Sequence, residues 1–112
     1  MKYFLFIMLV GVSLLLQSCT PPTTQLLLQG KDAYQTQDYH TAYNKLLTAA
    51  KAGDHQAQYA VGYMYYYGIG VERDSERAIY WIKKAADAGY YNALAALEFI
   101  QQGKPPSMNI AH

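Results

Sequence analysis

Apolar residues recur at the spacing of an α-helix over most of the chain beyond its first 25 residues. The clearest example covers residues 75–88, where apolar positions fall at i, i+1, i+3, i+4, i+7 and i+8 and form one stripe. Asp74 stands where an N-cap carboxylate accepts from free first-turn amides, and Gly89 stands where a left-handed residue ends a helix. The pattern predicts an amphipathic helix that packs through Ala78, Ile79, Trp81, Ile82, Ala85 and Ala86.

A second helix is predicted over residues 54–67, with Asp54 as its N-cap and Gly68 as its end. Gly68 and Gly70 then shape a loop between the two helices, and Gly62 is expected to let the helices approach closely. A phosphate-binding Gly-x-Gly would follow a strand and open a helix, whereas this one follows a helix, so nucleotide binding is not expected. The core face of this helix is predicted to be Ala57, Ala60, Val61, Met64 and Tyr65.

The chain also repeats itself. Ala-Ala-Lys-Ala-Gly at residues 49–53 recurs as Ala-Ala-Asp-Ala-Gly at residues 85–89, which is 36 residues later. At the same offset Asp38 matches Asp74 and Ala42 matches Ala78. A fixed period between about 20 and 50 residues is typical of stacked supersecondary units. The sequence therefore predicts an all-α fold, a short α/α solenoid of antiparallel helix pairs with about five helices.

The segment from Ala57 to Ala93 resembles one complete Sel1-like repeat, a family of α/α solenoids related to the tetratricopeptide repeat. The match rests on small, aromatic and capping residues at the family's spacing. The resemblance implies that residues 54–89 fold as a helix pair and that the protein acts as a scaffold or adaptor. The structural positions of the repeat are Ala57, Gly62, Tyr65, Gly68, Gly70, Asp74, Ala78, Trp81, Ala85, Ala86 and Gly89.

The flanking segments fit looser versions of the same unit. Residues 90–102 are predicted to form a closing cap helix, followed by a polar tail at residues 103–112. Residues 26–53 resemble an ordinary tetratricopeptide helix pair through Leu26, Gly30, Ala33, Ala42, Leu46 and Ala49.

The N-terminus has a different character. Lys2 precedes an apolar run over residues 3–16, which is shorter than the roughly 20 residues of a membrane span but suits the core of a secretory signal. The alternative is a buried helix. The run ends in Leu-Gln-Ser-Cys at residues 16–19, which resembles the lipobox of bacterial lipoproteins. The resemblance implies that residues 1–18 are a cleaved signal peptide and that Cys19 carries a diacylglycerol thioether and an acylated amine; the alternative is an unmodified thiol.

A lipid on Cys19 would fix the location of the protein. Residues 19–25, rich in Pro and Thr, would form the tether, and several acyl chains would anchor it stably to a membrane. Thr20, rather than Asp, follows the cysteine, a pattern that resembles export to the outer membrane, facing the periplasm. With a single cysteine the chain cannot form an intramolecular disulfide.

Charge argues against nucleic acid as a partner. The chain has 9 Lys and Arg against 8 Asp and Glu, and removal of Lys2 with the signal peptide leaves a formal charge of zero. No basic patch remains that would follow a phosphate backbone. The expected partner is an unknown envelope protein or peptide. A second copy of the chain, giving a homodimer, is the other candidate, because two helix pairs and a cap fall below the roughly three repeats a solenoid needs.

Catalytic chemistry is not expected. His40, His55 and His112 share no metal-ligand spacing, and the only cysteine is assigned to lipid. We therefore predict no catalytic residues, no metal and no cofactor, and a protein that is not an enzyme. The alternatives to an adaptor are an inhibitor or immunity-type partner of one envelope enzyme, and an envelope hydrolase too divergent to show its motif.

The candidate binding residues are the tyrosines of the second helix. On a helical wheel, Tyr59, Tyr63 and Tyr66 fall almost opposite the predicted core face, with Tyr67 toward its edge. Tyrosine suits recognition because it presents a large area with few rotors and a polar tip. The first helix of a middle repeat also touches units on both sides, so packing between repeats is the alternative. The sequence leaves both interpretations open.

Overall fold

The computed structural model describes residues 22–107, which form five α-helices and no strand. The predicted signal peptide and Cys19 lie outside these residues, as do residues 108–112. Consecutive helices pack against one another, and their short connections reverse the chain each time, so the predicted all-α architecture is confirmed. The helices are α1 (Pro22–Gln35), α2 (Tyr39–Lys51), α3 (His55–Tyr67), α4 (Ser75–Asp87) and α5 (Tyr91–Gln101). None of these five is both long enough and apolar enough to cross a bilayer.

Aspartates set the start of the three middle helices. Each is an N-cap whose carboxylate accepts from the amide three residues on, which satisfies a donor that the helix leaves free. The predicted caps Asp54 and Asp74 are confirmed, and Asp38 plays the same role in the first pair. The acceptor–donor distances are 3.2 Å for Asp38 with Thr41, 2.8 Å for Asp54 with Ala57 and 3.0 Å for Asp74 with Arg77.

Glycines end α3 and α4 as predicted. Gly68 adopts the left-handed conformation, with φ 68° and ψ 44°, and its amide donates to the carbonyl of Met64. Gly89 has φ 88° and follows α4, which ends at Asp87, one residue earlier than expected. A side chain is strained at such positive φ values, so glycine is favoured at both positions.

The second pair is held tightly by Gly62. A Cβ placed there would lie 2.6 Å from Cγ1 of Ile82 and 2.9 Å from the carbonyl oxygen of Ala78, so the predicted close approach of α3 and α4 is confirmed. Gly70, with φ 69°, lies against the backbone carbonyl of Tyr39, where a Cβ would clash. The loop after α3 therefore rests on the first turn of α2 and joins the two pairs.

The core consists of two clusters that meet along α3. One cluster joins α1, α2, α3 and α4, and the second joins α3, α4 and α5 through Tyr59, Ile82, Ala85, Ala86, Ala93 and Ala96. The whole predicted core face of α3 is buried. In α4 the stripe is buried except at Ile79, which is 40% exposed, so the prediction was wrong there. Ile79 stands at the edge of the stripe, beyond the reach of the helices that cover Ala78 and Ile82.

The chain becomes helical earlier than expected. Residues 22–25, assigned by sequence to the tether, form the first turn of α1. Pro22 is the first helical residue, a position where the missing amide costs no hydrogen bond and the fixed φ favours the helix. The tether prediction was therefore wrong for these four residues.

Candidate interaction surface

Three tyrosines of α3 lie along one line of the helix. Tyr59, Tyr63 and Tyr67 are spaced at i, i+4 and i+8, a spacing at which side chains on a helix are neighbours. Tyr66 stands beside them, next to Tyr67. We call these four residues the tyrosine surface. Their exposure differs sharply, from complete burial at Tyr59 to 41% at Tyr67, with Tyr63 and Tyr66 between the two.

Tyr59 does not lie off the core, so its predicted position opposite the core face was wrong. Its side chain is 0% exposed and belongs to the second core cluster. Its ring packs against that of Tyr90 at a centroid distance of 5.7 Å. Because α3 is the first helix of the second pair, it buries one face against the preceding pair and another against α5. The ring of Tyr59 is therefore packed between repeats, and its hydroxyl remains available as a hydrogen-bond donor.

The other three rings form one partly exposed group. Tyr63 and Tyr67 have centroids 4.6 Å apart, and Tyr66 and Tyr67 meet edge to face at 5.0 Å. The guanidinium of Arg73, from the loop after α3, lies 5.9 Å from the centre of the Tyr66 ring. Such contacts hold the rings in fixed positions while part of their area stays open to solvent. The binding of a partner by these three residues stays a prediction.

The segment after α5 returns to this surface. The amides of Gly103 and Lys104 donate to the carbonyls of Ile100 and Phe99, and Gly103 has φ 73°, so the chain turns sharply there. The hydroxyl of Tyr67 then donates to the carbonyl of Pro106 at 2.8 Å, and that of Tyr59 donates to the carbonyl of Ser107 at 2.7 Å.

Pro106 is among the fully buried side chains of the protein. The description of residues 103–112 as a polar tail did not anticipate this contact, since Pro106 is buried against the domain while residues 103–105 and Ser107 are exposed. No local feature of the sequence reveals the contact, which depends on how α3 and α5 are placed in space.

Burial raises the pKa of three hydroxyls of the tyrosine surface, those of Tyr59, Tyr63 and Tyr67, and so keeps them protonated. Desolvation, together with smaller effects of the nearby hydroxyls of Tyr90, Tyr63 and Tyr67, raises the pKa of Tyr59 to about 12. Desolvation also raises the pKa of Tyr63 and of Tyr67, with neighbouring tyrosines as the second cause. These hydroxyls are therefore neutral at physiological pH and act as hydrogen-bond donors.

A second tyrosine pair joins the two helix pairs. The hydroxyls of Tyr43 on α2 and Tyr65 on α3 are 2.5 Å apart, and the rings meet edge to face. Burial, followed by the hydrogen bond to Tyr65, raises the pKa of Tyr43 to about 12. The guanidinium of Arg77 lies 5.8 Å from the centre of the Tyr65 ring. This cluster belongs to the packing between units and leaves Tyr65 5% exposed.

These pKa values predict unfolding at alkaline pH. The hydroxyls of Tyr43 and Tyr59 have a pKa of about 12 in the folded protein, against about 10 for unfolded tyrosine. Their neutral forms stabilise the fold fully below about pH 10, and that contribution is lost as the pH rises through about 12. In a pH titration, the last part of the tyrosinate absorbance, from Tyr43 and Tyr59, should appear together with the loss of helical circular dichroism. Ionisation of every tyrosine near pH 10 with intact helices would contradict this, and Tyr80→Phe should leave the midpoint unchanged.

Metal-ligating and nucleophilic groups are sparse in the part of the chain that the structure describes. No group of three or more His, Cys, Asp or Glu side chains between residues 22 and 107 is placed to hold a metal ion. The ring of His40 on α2 instead lies 3.3 Å from the side-chain amide of Asn44. His112 and Cys19 lie outside the described residues.

Comparison with known proteins identifies the unit around α3 and α4. Residues 55–90 match the family model of the Sel1 repeat. The chain is 38% identical over 63 residues to a protein of Acanthamoeba polyphaga mimivirus described as sel1-like repeat-containing, covering 49% of this chain and 11% of that protein. It is 40% identical over 60 residues to the chitin synthase regulator SKT5 of Saccharomyces cerevisiae, covering 54% of this chain and 8% of that protein. The chain thus spans about a tenth of the length of these relatives. Residues 55–90 of this chain are therefore a Sel1-like repeat.

Proposed function

We propose that this protein is a lipid-anchored adaptor of the bacterial cell envelope that binds another protein or a peptide. Sel1-like repeats are generally protein–protein interaction modules. The observation that carries the proposal is the group of contacting, partly exposed rings of Tyr63, Tyr66 and Tyr67 on the first helix of the Sel1 repeat. Large aromatic side chains with polar tips are enriched at protein interfaces.

Support for the anchor comes from the Leu-Gln-Ser-Cys sequence at residues 16–19 behind an apolar run. Because α1 begins at Pro22, only Thr20 and Pro21 separate Cys19 from the first helix. Three Cα steps reach at most about 11 Å in extended chain. A lipid on Cys19 would hold the domain directly against the headgroups, on the periplasmic side of the outer membrane, and partners would be met there.

The anchor is tested with the variant Cys19→Ala. The wild-type protein should fractionate with membranes and give an intact mass that begins at Cys19 and includes acyl chains. Cys19→Ala should lose the acyl mass and the cleavage before residue 19, because no other thiol is present to accept lipid. Thr20→Ser serves as the matched control and should stay acylated. A wild-type protein that is unacylated and cleaved elsewhere would contradict the proposal.

Binding is tested by site-specific photocrosslinking in intact cells. A photoreactive residue at Tyr66, on the tyrosine surface, should crosslink to a discrete protein. The same group at Tyr80, which is 57% exposed on α4, is the control and should not give that product. Equal products from both positions, or none from Tyr66, would exclude this surface as the binding site of an adaptor.

A further inference from the structure

The tyrosine surface already holds a ligand-like segment in this structure. Residues 105–107 lie against α3 with the ring of Pro106 buried and two consecutive carbonyls bonded by the hydroxyls of Tyr67 and Tyr59. The side chains of Pro105 and Ser107 stay exposed. The tyrosine hydroxyls therefore bind the backbone of this segment beside one buried proline ring, and the side chains of Pro105 and Ser107 play little part.

This set of contacts suits a proline-containing extended segment. Proline has no amide hydrogen, so burying its ring leaves no donor without a partner. Pro105 precedes a second proline and is therefore confined to extended conformations. Extended proline segments make no internal hydrogen bonds, so their carbonyls point outward as acceptors. Aromatic grooves that bind such segments supply flat apolar surface together with donors for these carbonyls, and α3 offers both.

We propose that the tyrosine surface is a receptor for an extended Pro-Pro segment of a partner protein, and that residues 105–107 occupy it in cis. The proposal rests on the adaptor function above and names the chemistry of the partner. Any extended segment with two successive prolines would present the same ring and the same two carbonyls. Tyr63 and Tyr66 flank the contact with partly exposed rings and give a partner more area than the short cis segment covers.

Residues 105–107, the cis segment, control the access of a partner segment to the tyrosine surface. Only Gln102, Gly103 and Lys104 connect the end of α5 to Pro105, and a short link keeps its local concentration in the millimolar range or above. A partner segment must therefore compete with residues 105–107. Weakening the cis segment should increase the affinity of the surface for a segment supplied in trans.

The experiment uses the full-length protein in mild detergent and a fluorescein-labelled peptide, Gly-Lys-Pro-Pro-Ser-Met, that carries the sequence of residues 103–108. By fluorescence anisotropy, Pro106→Gly should bind this peptide at least about tenfold more tightly than wild type, because the cis competitor is removed. Adding Tyr67→Phe should weaken that binding by about 2–10-fold, the value of one hydrogen bond. Tyr80→Phe in the same background should change nothing, and a peptide with both prolines replaced by alanine should not bind.

Two controls keep the result interpretable. Circular dichroism melts should show that Pro106→Gly is folded, and Pro106→Ala provides a second release variant with less added backbone freedom. Light scattering reports whether wild-type chains exchange their C-terminal segments.

Three results would overturn the proposal: equal affinity of wild type and both release variants, peptide binding unaffected by Tyr67→Phe, or a wild-type dimer that disappears in Pro106→Gly. The last result would mean that a second copy fills the surface. If the peptide fails to bind while Tyr66 still crosslinks to a protein, the adaptor function stands and this inference is wrong. If the peptide binds while no protein is crosslinked in cells, the adaptor function is wrong, and the surface serves only the cis segment.

Discussion

Replacing Trp81 with alanine should lower the free energy of unfolding by about 3–5 kcal/mol. Trp81 is 8% exposed in the first core cluster, where α4 meets the rest of the domain. The variant would lose the transfer free energy of the indole and leave a cavity that the close-packed alanines around it cannot fill. Such a loss is a large part of the roughly 5–15 kcal/mol by which domains are stable. Urea unfolding followed by circular dichroism measures it.

The neighbouring residue provides the control. Tyr80 contacts the Trp81 ring at a centroid distance of 5.3 Å but lies largely in solvent. Tyr80→Ala should therefore cost less than about 1 kcal/mol. A cost below about 1 kcal/mol for Trp81→Ala as well would show that the register of α4 is wrong.

Tyr59→Ala should have an effect of similar size, about 3–5 kcal/mol, because a completely buried aromatic ring is removed from the second core cluster. Tyr59→Phe separates the ring from the hydroxyl. It keeps the packing against Tyr90 and loses only the bond to the carbonyl of Ser107, so it should cost about 0.5–1.5 kcal/mol.

The control for both Tyr59 variants is Tyr91→Ala, because Tyr91 is exposed at the start of α5. This substitution should change the free energy of unfolding by no more than about 0.5 kcal/mol. The same urea titrations apply. If Tyr59→Ala and Tyr91→Ala proved equally mild, Tyr59 would be a surface residue, as the helical wheel suggested.

The features that could be predicted from the sequence are those with local causes. Asp54 and Asp74 bond amides three residues away, and Gly68 relieves strain at its own φ. The stripe of α4 follows from helical spacing alone, apart from Ile79 at its edge. Gly62 could be predicted because the repeat pattern showed that two helices must meet near it.

The features that could not be predicted depend on placement in space. A helical wheel identifies the single most apolar direction of a helix, whereas α3 is buried on two sides, so Tyr59 was placed on the wrong face. The same limit applies to Gln58, which is buried and donates to the carbonyl of Ala50. The docking of Pro106 joins segments far apart in the chain. The polar residues around Pro106 have the composition of a free tail, so nothing in the sequence indicated this contact.

The bonds from Tyr67 to Pro106 and from Tyr59 to Ser107 join residues 39 and 48 positions apart. Most other contacts between elements join consecutive helices, and such contacts form early because little loop entropy opposes them. Docking of residues 105–107 requires α3 and α5 to be in place, so it closes the structure last and opens first. We therefore expect hydrogen exchange at the amides of Gly103 and Lys104 and solvent access to the Tyr67 hydroxyl to report the same opening event.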